Sequence, residues 1–318
     1  MRLLRIFAEN LTTKIMTKVL RSFNDLKLRL QQMRPKKRVA VVCPSDIHTM
    51  QVVDRCLQMD LARFTLILDR PSDWADRLAA SDDPGVAVIY TDSPDNAARI
   101  AVAEVRESHC DVVMKGAINT DNLLHAVLNK EHGLLEEGRV LTHITAASIP
   151  SYHKLLFFSD AAVIPMPDLH QLDAMISYDV TLLHKLGITE PRVALIHFTE
   201  KVNPKFPNTL FYEQLKQTAA DGHYGSVIIG GPMDVKSACD IHSAQIKHIQ
   251  SDINGDADLL IFPSLVSANT FYKSISLFGK ATMAGIVCGA NAPIVIPSRA
   301  DSAESKFYSL ALACMSQT

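Results

Sequence analysis

DVVMKGAINTDNLLHAVLNK, residues 111–130, opens as a short β-branched apolar run, turns at Lys115-Gly116, and resumes at Asn119-Thr120 with apolar residues at helical spacing. A strand passed to a helix through a glycine turn is half of a parallel β-α-β unit. The same alternation continues in both directions. Apolar runs at 38–43, 64–68, 86–90, 192–198, 227–229, 258–262, 284–288 and 293–296 predict further strands. Helical periodicity occupies 47–61, 94–109, 119–130, 168–186, 208–220, 236–250, 267–280 and 302–316. The expected fold is therefore α/β, with mainly parallel sheets covered by helices on both faces in three αβα layers. Such sheets place ligands where loops leave the carboxyl ends of the strands, so those loops are read first.

A length of 318 residues exceeds one ordinary core and predicts two lobes. A net charge of -2 gives no reason to expect nucleic acid as a partner. The six cysteines, at 43, 56, 110, 239, 288 and 314, form no C-x-x-C pair and sit largely in apolar runs. They read as buried reduced thiols, which suits the cytoplasm. The longest uncharged stretch, 281–298, is broken by Gly285, Gly289, Pro293 and Pro297, so two short strands explain it better than a membrane span. Residues 1–38 stand apart, with eleven Lys or Arg against Glu9 and Asp25. Val19, Leu20, Phe23, Leu26 and Leu30 there predict an amphipathic helix packed on the body rather than on a membrane. Met16 offers a second possible start, and no signal peptide is expected. Pro150, Pro165 and Pro167 mark 147–168 as the expected crossing between lobes.

Four loops collect polar residues after apolar strands. In the last, Pro297-Ser298-Arg299-Ala300-Asp301-Ser302 precedes a helix that runs to the carboxyl terminus. A guanidinium beside a helix start suits phosphate oxygens, whereas Asp301 or Ser302 can equally serve as the cap. Lys115-Gly116 with Asn119 and Thr120 can hold a phosphate, although the P-loop spacing is absent. In 263–273, Asn269 and Lys273 stand four apart on one helical face and can supply an amide and a cation to one anion, or lie solvated. Arg139 and His143 close the set, near a sheet edge. No H-E-x-x-H, zinc spacing, G-x-S-x-G or G-x-G-x-x-G occurs, so neither a metal, a serine-hydrolase elbow nor a dinucleotide cofactor is expected.

Taken in order, these segments resemble the phosphate acetyl/butyryltransferase family, and the butyryltransferase branch most. The resemblance rests on Val113 to Thr120, Asp168-Leu169, Val202-Asn203-Pro204-Lys205 and Gly255-Asp256-Ala257-Asp258. It continues through Ala268-Asn269, Tyr272-Lys273, Ala284-Gly285-Ile286, Pro297 to Glu304 and Tyr308 to Ala313. It implies a two-lobed fold like the isocitrate and isopropylmalate dehydrogenases. After a basic extension over 1–36, the first lobe would take 37–155 and 292–318 and the second 156–291, with the active-site cleft between them. It implies reversible transfer of a short acyl group, butyryl first, between coenzyme A and inorganic phosphate. The enzyme would be a homodimer or larger, with coenzyme A as substrate, no bound cofactor, no metal and no covalent acyl-enzyme. Ser298 would hold the thiol sulfur and Arg299 the phosphate. Lys115, Asn119, Thr120, His143, Asn269 and Lys273 would bind substrate, and Asp301 or Glu304 would take the thiol proton. Two departures accompany the match. Ser305 stands where the acetyltransferase branch has an aspartate, and Gly230-Gly231-Pro232 with Lys236 replaces two carboxylates usual in the butyryltransferases. The competing expectations are a metal-dependent hydroxyacid dehydrogenase of the same fold, or a regulatory protein that binds coenzyme A or phosphate without turnover.

Overall fold

The computed structural model describes residues 19–81, 84–247, 249, 251–298 and 301–317. The chain divides into two compact units, one of Asn24–Val140 with Ala284–Thr318 and the other of Val19–Phe23 with Leu141–Met283.

In the first unit, β1 (Arg38–Val42) and β2 (Arg63–Leu68) are almost wholly buried, as two-sided apolar runs require. They pair in parallel with each other, and β2 pairs in parallel with β3 (Val86–Tyr90). On the other side β1 pairs with β4 (Val112–Lys115), and β4 pairs in parallel with β11 (Ile294–Val295). The last strand, β10 (Thr282–Cys288), runs antiparallel to β11. The crossovers begin with clear caps. Asp46 caps α2 (Ile47–Gln58), Ser72 caps α3 (Asp73–Ala79), and Ser93 with Pro94 opens α4 (Pro94–Arg106). Helix α5 (Thr120–Val127) follows β4, and α11 (Ala303–Ser316) follows β11. Ahead of them lies α1 (Phe23–Gln32), where Phe23, Leu26 and Leu30 are buried together with Leu20. The apolar spacing near the amino terminus thus faces protein, while the expected helix residues 16–18 and the rest of 1–18 lie outside the described residues.

In the second unit the strand order is β5 (Thr142–Ser148), β6 (Leu156–Ser159), β9 (Leu259–Ile261), β7 (Arg192–Ile196) and β8 (Ile228–Met233). Only the β5–β6 pair is antiparallel. Neither β5 nor β6 is among the expected strands. Thr142–Ser148 reads THITAAS, with one apolar β-branched residue, and β6 lies within the proline-marked segment. Helices α6 (Leu169–Lys185) and α7 (Pro207–Ala220) lie where helical periodicity predicts them. The expected helix over 236–250 is instead two short ones, α8 (Val235–Cys239) and α9 (Ile241–Ile246). Asp240 breaks it by turning extended and capping α9 through His242 N. Helix α10 (Leu265–Leu277) is fixed by rings: Phe158 meets Phe271 at 5.2 Å and Tyr272 at 6.2 Å in edge-on contacts. No helix among the described residues is long and apolar enough to cross a membrane.

Candidate functional site

Two loops of the first unit leave adjacent parallel strands at the same end. Val113 and Met114 of β4 stand opposite Ile294 and Val295 of β11, so the segments starting at Lys115 and at Ile296 emerge side by side. The first is held against the loop after β1. Gly116 N donates to Val42 O and Ala117 N to Cys43 O, both at 2.8 Å. A Cβ on Gly116 would sit 2.4 Å from Cys43 O, a backbone atom that cannot swing away. Glycine at this strand end therefore serves backbone approach. Gly116→Ala is expected to cost about 3 kcal/mol through overpacking, read as a lower urea midpoint at an unchanged slope. An unmoved midpoint would refute the contact. Lys115 ends β4 almost fully buried, with its ammonium 3.2 Å from Gly116 O. Asn119 occupies the cap position of α5 without a side-chain cap bond, and Thr120 is its exposed first residue.

The second loop is a closed turn. Ser298 N donates to Asp301 Oδ2 at 2.8 Å, and Asp301 N returns a bond to Ser298 O at 3.1 Å. The cap of α11 is Ser302, whose Oγ accepts from Ser305 N at 3.1 Å. Sequence alone left the cap open between Asp301 and Ser302. Ser302 takes it, and Asp301 is left to shape the serine's backbone. Glu304 is exposed in the first turn of α11, and together with burial its charge pushes the Tyr308 phenol upward. Arg299, central to the sequence reading, lies outside the described residues with Ala300.

One turn into α11, Lys306 is buried and reaches back to the amino-terminal half of the unit. Its Nζ lies 2.7 Å from Asp46 Oδ1 and 3.3 Å from Thr49 Oγ1. Burial drives the Asp46 carboxyl upward, but the hydrogen bonds from Lys306 and Thr49 outweigh it and hold the group below the usual carboxylate range. The helix carrying the Ser298 turn is thereby pinned to the helix that follows β1.

In the second unit a single carboxylate organises the end of β6. Asp160 Oδ1 accepts from Ala162 N and Val163 N at 2.8 Å each. Its Oδ2 accepts from Thr142 Oγ1 at 3.1 Å and His143 N at 2.9 Å. His143 is half-buried, with Nδ1 3.4 Å from Thr145 Oγ1. Asn269 donates an amide hydrogen to Ala161 O at 3.0 Å, so part of the amide expected to meet an anion is committed to protein. Lys273 is exposed, with its ammonium 4.9 Å from the Tyr272 ring. The two residues share α10, but ring packing decides what their face meets. Near Ser159 and Asp160, Asp179 of α6 is fully buried, and burial pushes its carboxyl well above the ordinary range.

Several matched segments are structural joints. Asp168 and Gln171 form a capping box on α6. Asn203 Oδ1 accepts from Lys205 N at 3.0 Å in the turn that leads into α7. Asp258 receives Arg192 N at 2.9 Å and Lys154 at 2.7 Å at the amino end of β9. At Gly230 a Cβ would lie 2.5 Å from Ser251 Oγ and 2.6 Å from Ile253 Cγ1, so those side chains would have to shift. Lys236 is exposed, while Lys247 pairs with Asp234 and with Glu200. Arg139 lies in the turn before β5, 3.9 Å from Glu136. The thiols of Cys43 and Cys110 are poor candidates for a nucleophile. Burial pushes Cys43 up to about 12 and Cys110 up to about 11. Among the described residues no group of three or more His, Cys, Asp or Glu is placed to hold a metal.

Sequence reasoning missed Asp46, Thr49, Lys306 and Asp160. An apolar α11 carrying one lysine, in a segment otherwise reading as core, was the only available signal for Lys306. Asp160 had none, because most of its partners are backbone amides.

The sequence pattern of the family described as Phosphate acetyl/butaryl transferase matches residues 87–314. A Bacillus subtilis (strain 168) protein named a probable phosphate butyryltransferase is 35% identical over 283 residues, covering 88% of this chain and 94% of that protein. The phosphate acetyltransferase of Thermotoga maritima is 32% identical, covering 88% and 95%. A branched-chain phosphotransacylase from Enterococcus faecalis V583 superposes with a TM-score of 0.78 at 26% identity, over 88% of this chain and 99% of that one. A Salmonella typhimurium chain assigned to the 4-hydroxythreonine-4-phosphate dehydrogenases shares the fold alone, at a TM-score of 0.54 and 12% identity. Agreement of this extent, with the ordered motifs on the loops just described, means that the chain belongs to the phosphate acetyl/butyryl transferase family of acyltransferases.

Proposed function

We propose that this enzyme transfers a butyryl or similar short acyl group between coenzyme A and inorganic phosphate by direct attack, without an acyl-enzyme. Coenzyme A and phosphate are the family's substrates. The observation that carries the reading is the pairing of the Lys115 and Ser298 loops at one end of adjacent strands, in a chain 35% identical to a protein named a probable butyryltransferase. In the direction that forms acyl-CoA, the thiol sulfur attacks the carbonyl carbon of the acyl phosphate. The C–S bond forms, the C–O bond to phosphate breaks, and the thiol proton passes to a carboxylate. A thiol of pKa about 8.5 is mostly protonated at neutral pH, so this last step matters.

Ser298 holds the sulfur by its hydroxyl, and Arg299 takes the phosphate and the charge that grows on the leaving oxygens. Asp301 fixes the Ser298 backbone through Oδ2 and uses Oδ1 for the proton. Lys115, Asn119 and Thr120 contact the phosphate and pantetheine portions, and His143, Asn269 and Lys273 serve the same substrates. Glu304, turned toward Tyr308, is left as a helix-end charge rather than a base. Asp301→Asn keeps an oxygen for Ser298 N and loses only the base. Its expected result is a drop in kcat for acyl-CoA formation, with the acid limb of the pH profile flattened and KM for the acyl phosphate little changed.

Thiol release from butyryl-CoA tests the activity. Release that requires phosphate is expected, faster with butyryl and isobutyryl than with acetyl thioesters. Acetyl preference is the second reading, favoured by the 32% identity to an acetyltransferase, and rates that fall with chain length would select it. Binding of coenzyme A without phosphate-dependent release would overturn transfer altogether.

A further inference from the structure

A groove of about 820 Å³ runs between α4 and α5 on the first unit, and no part of the transfer chemistry uses it. One wall carries Arg99 and Arg106, seven residues apart and hence on one face of α4, about 10 Å from each other along the axis. Both side chains are exposed, and neither has an ion pair or hydrogen bond among the described residues. The facing wall carries His125 and His132. The one acid in the lining, Asp95, is engaged at 2.5 Å by Asn122. Just outside the lining, Glu131 stands 3.7 Å from His132. The apolar part of the lining is Ile100, Val102, Ala103 and Ala126.

Two guanidiniums two turns apart on one helix face can engage successive phosphates. They match a chain of phosphates, and each presents a planar fork suited to phosphate oxygens. The remaining space is of small-ligand size and its apolar lining accepts a ring. We propose that this groove binds a nucleoside polyphosphate, with Arg99 and Arg106 on the phosphate chain and the base over Ala103 and Ala126. The groove shares no residue with those assigned above to coenzyme A, and titration with coenzyme A present separates the two readings.

The test is calorimetric titration of ATP into the full-length enzyme with coenzyme A present at saturation. One ATP per chain is expected, with affinity rising from AMP to ADP to ATP and falling with added salt. The double variant Arg99→Ala, Arg106→Ala is expected to weaken ATP by about a hundredfold, from the loss of two charge-assisted contacts. Arg106→Glu should weaken it further while the thermal midpoint stays put. Absence of ATP binding, displacement of ATP by coenzyme A, or equal affinity in the double variant would each overturn the proposal.

Discussion

Arg299→Ala is expected to slow phosphate-dependent release of coenzyme A from butyryl-CoA by about two to three orders of magnitude, the range found when one charge-stabilising donor is removed. Thermal and urea midpoints should not move. The expectation rests on the order Pro297-Ser298-Arg299-Ala300-Asp301 after β11, in a chain of this family. The attacking phosphate must be held in place while charge grows on the acyl oxygen, and a guanidinium can meet both. The loss should fall on kcat/KM for phosphate, with coenzyme A binding retained. Arg299→Lys should recover little, because a point charge lacks the planar fork. Wild-type turnover in the alanine variant would remove the central assignment of the site.

Lys306→Met is expected to destabilise the protein by about 2 kcal/mol, since a half-buried carboxylate loses its charged partner and keeps Thr49 N as a donor. Asp46 Oδ1 loses its ammonium partner at 2.7 Å, and Oδ2 is already buried without a hydrogen bond. The double variant Asp46→Asn, Lys306→Met should regain most of the loss, because no lone charge remains. The sign of the pH dependence follows from the depressed carboxyl of Asp46. Its pairing contributes above the ordinary carboxylate value and is lost as pH falls through the lower folded value. The stability gap between wild type and Lys306→Met should therefore narrow in acid, below about pH 4. A gap that widens there would contradict the pairing. Because α11 also begins at the Ser298 turn, the variant should lower kcat as well, and Lys306→Arg should restore part of both.

Strands whose runs are apolar and β-branched, such as Arg38–Val42 and Val86–Tyr90, were legible in the sequence, as were the helices that follow them. Strand β5 was not. Its buried residues include Thr142, Thr145, Ala146 and Ala147, and small or hydroxylated side chains carry no period that separates strand from loop. The loops after β4 and β11 were found because chemistry concentrates at strand ends. What holds them was hidden for a different reason: Asp46 and Lys306 are 260 positions apart, and no local pattern links them. Helical spacing put Asn269 and Lys273 on one face of α10, but it gave no sign that the amide donates to Ala161 O.

The discontinuity of the first unit bears on how the protein is made. Strand β11, which lies beside β4, and the lysine that partners Asp46 are both supplied by the last tenth of the sequence. On the ribosome, residues 24–140 would wait incomplete, with one flank of β4 unpaired, while 141–283 emerge as a continuous stretch able to close on itself. The half translated first is thus the half finished last, and nascent chains arrested before β11 should be open to proteases at β4 while 141–283 is already resistant.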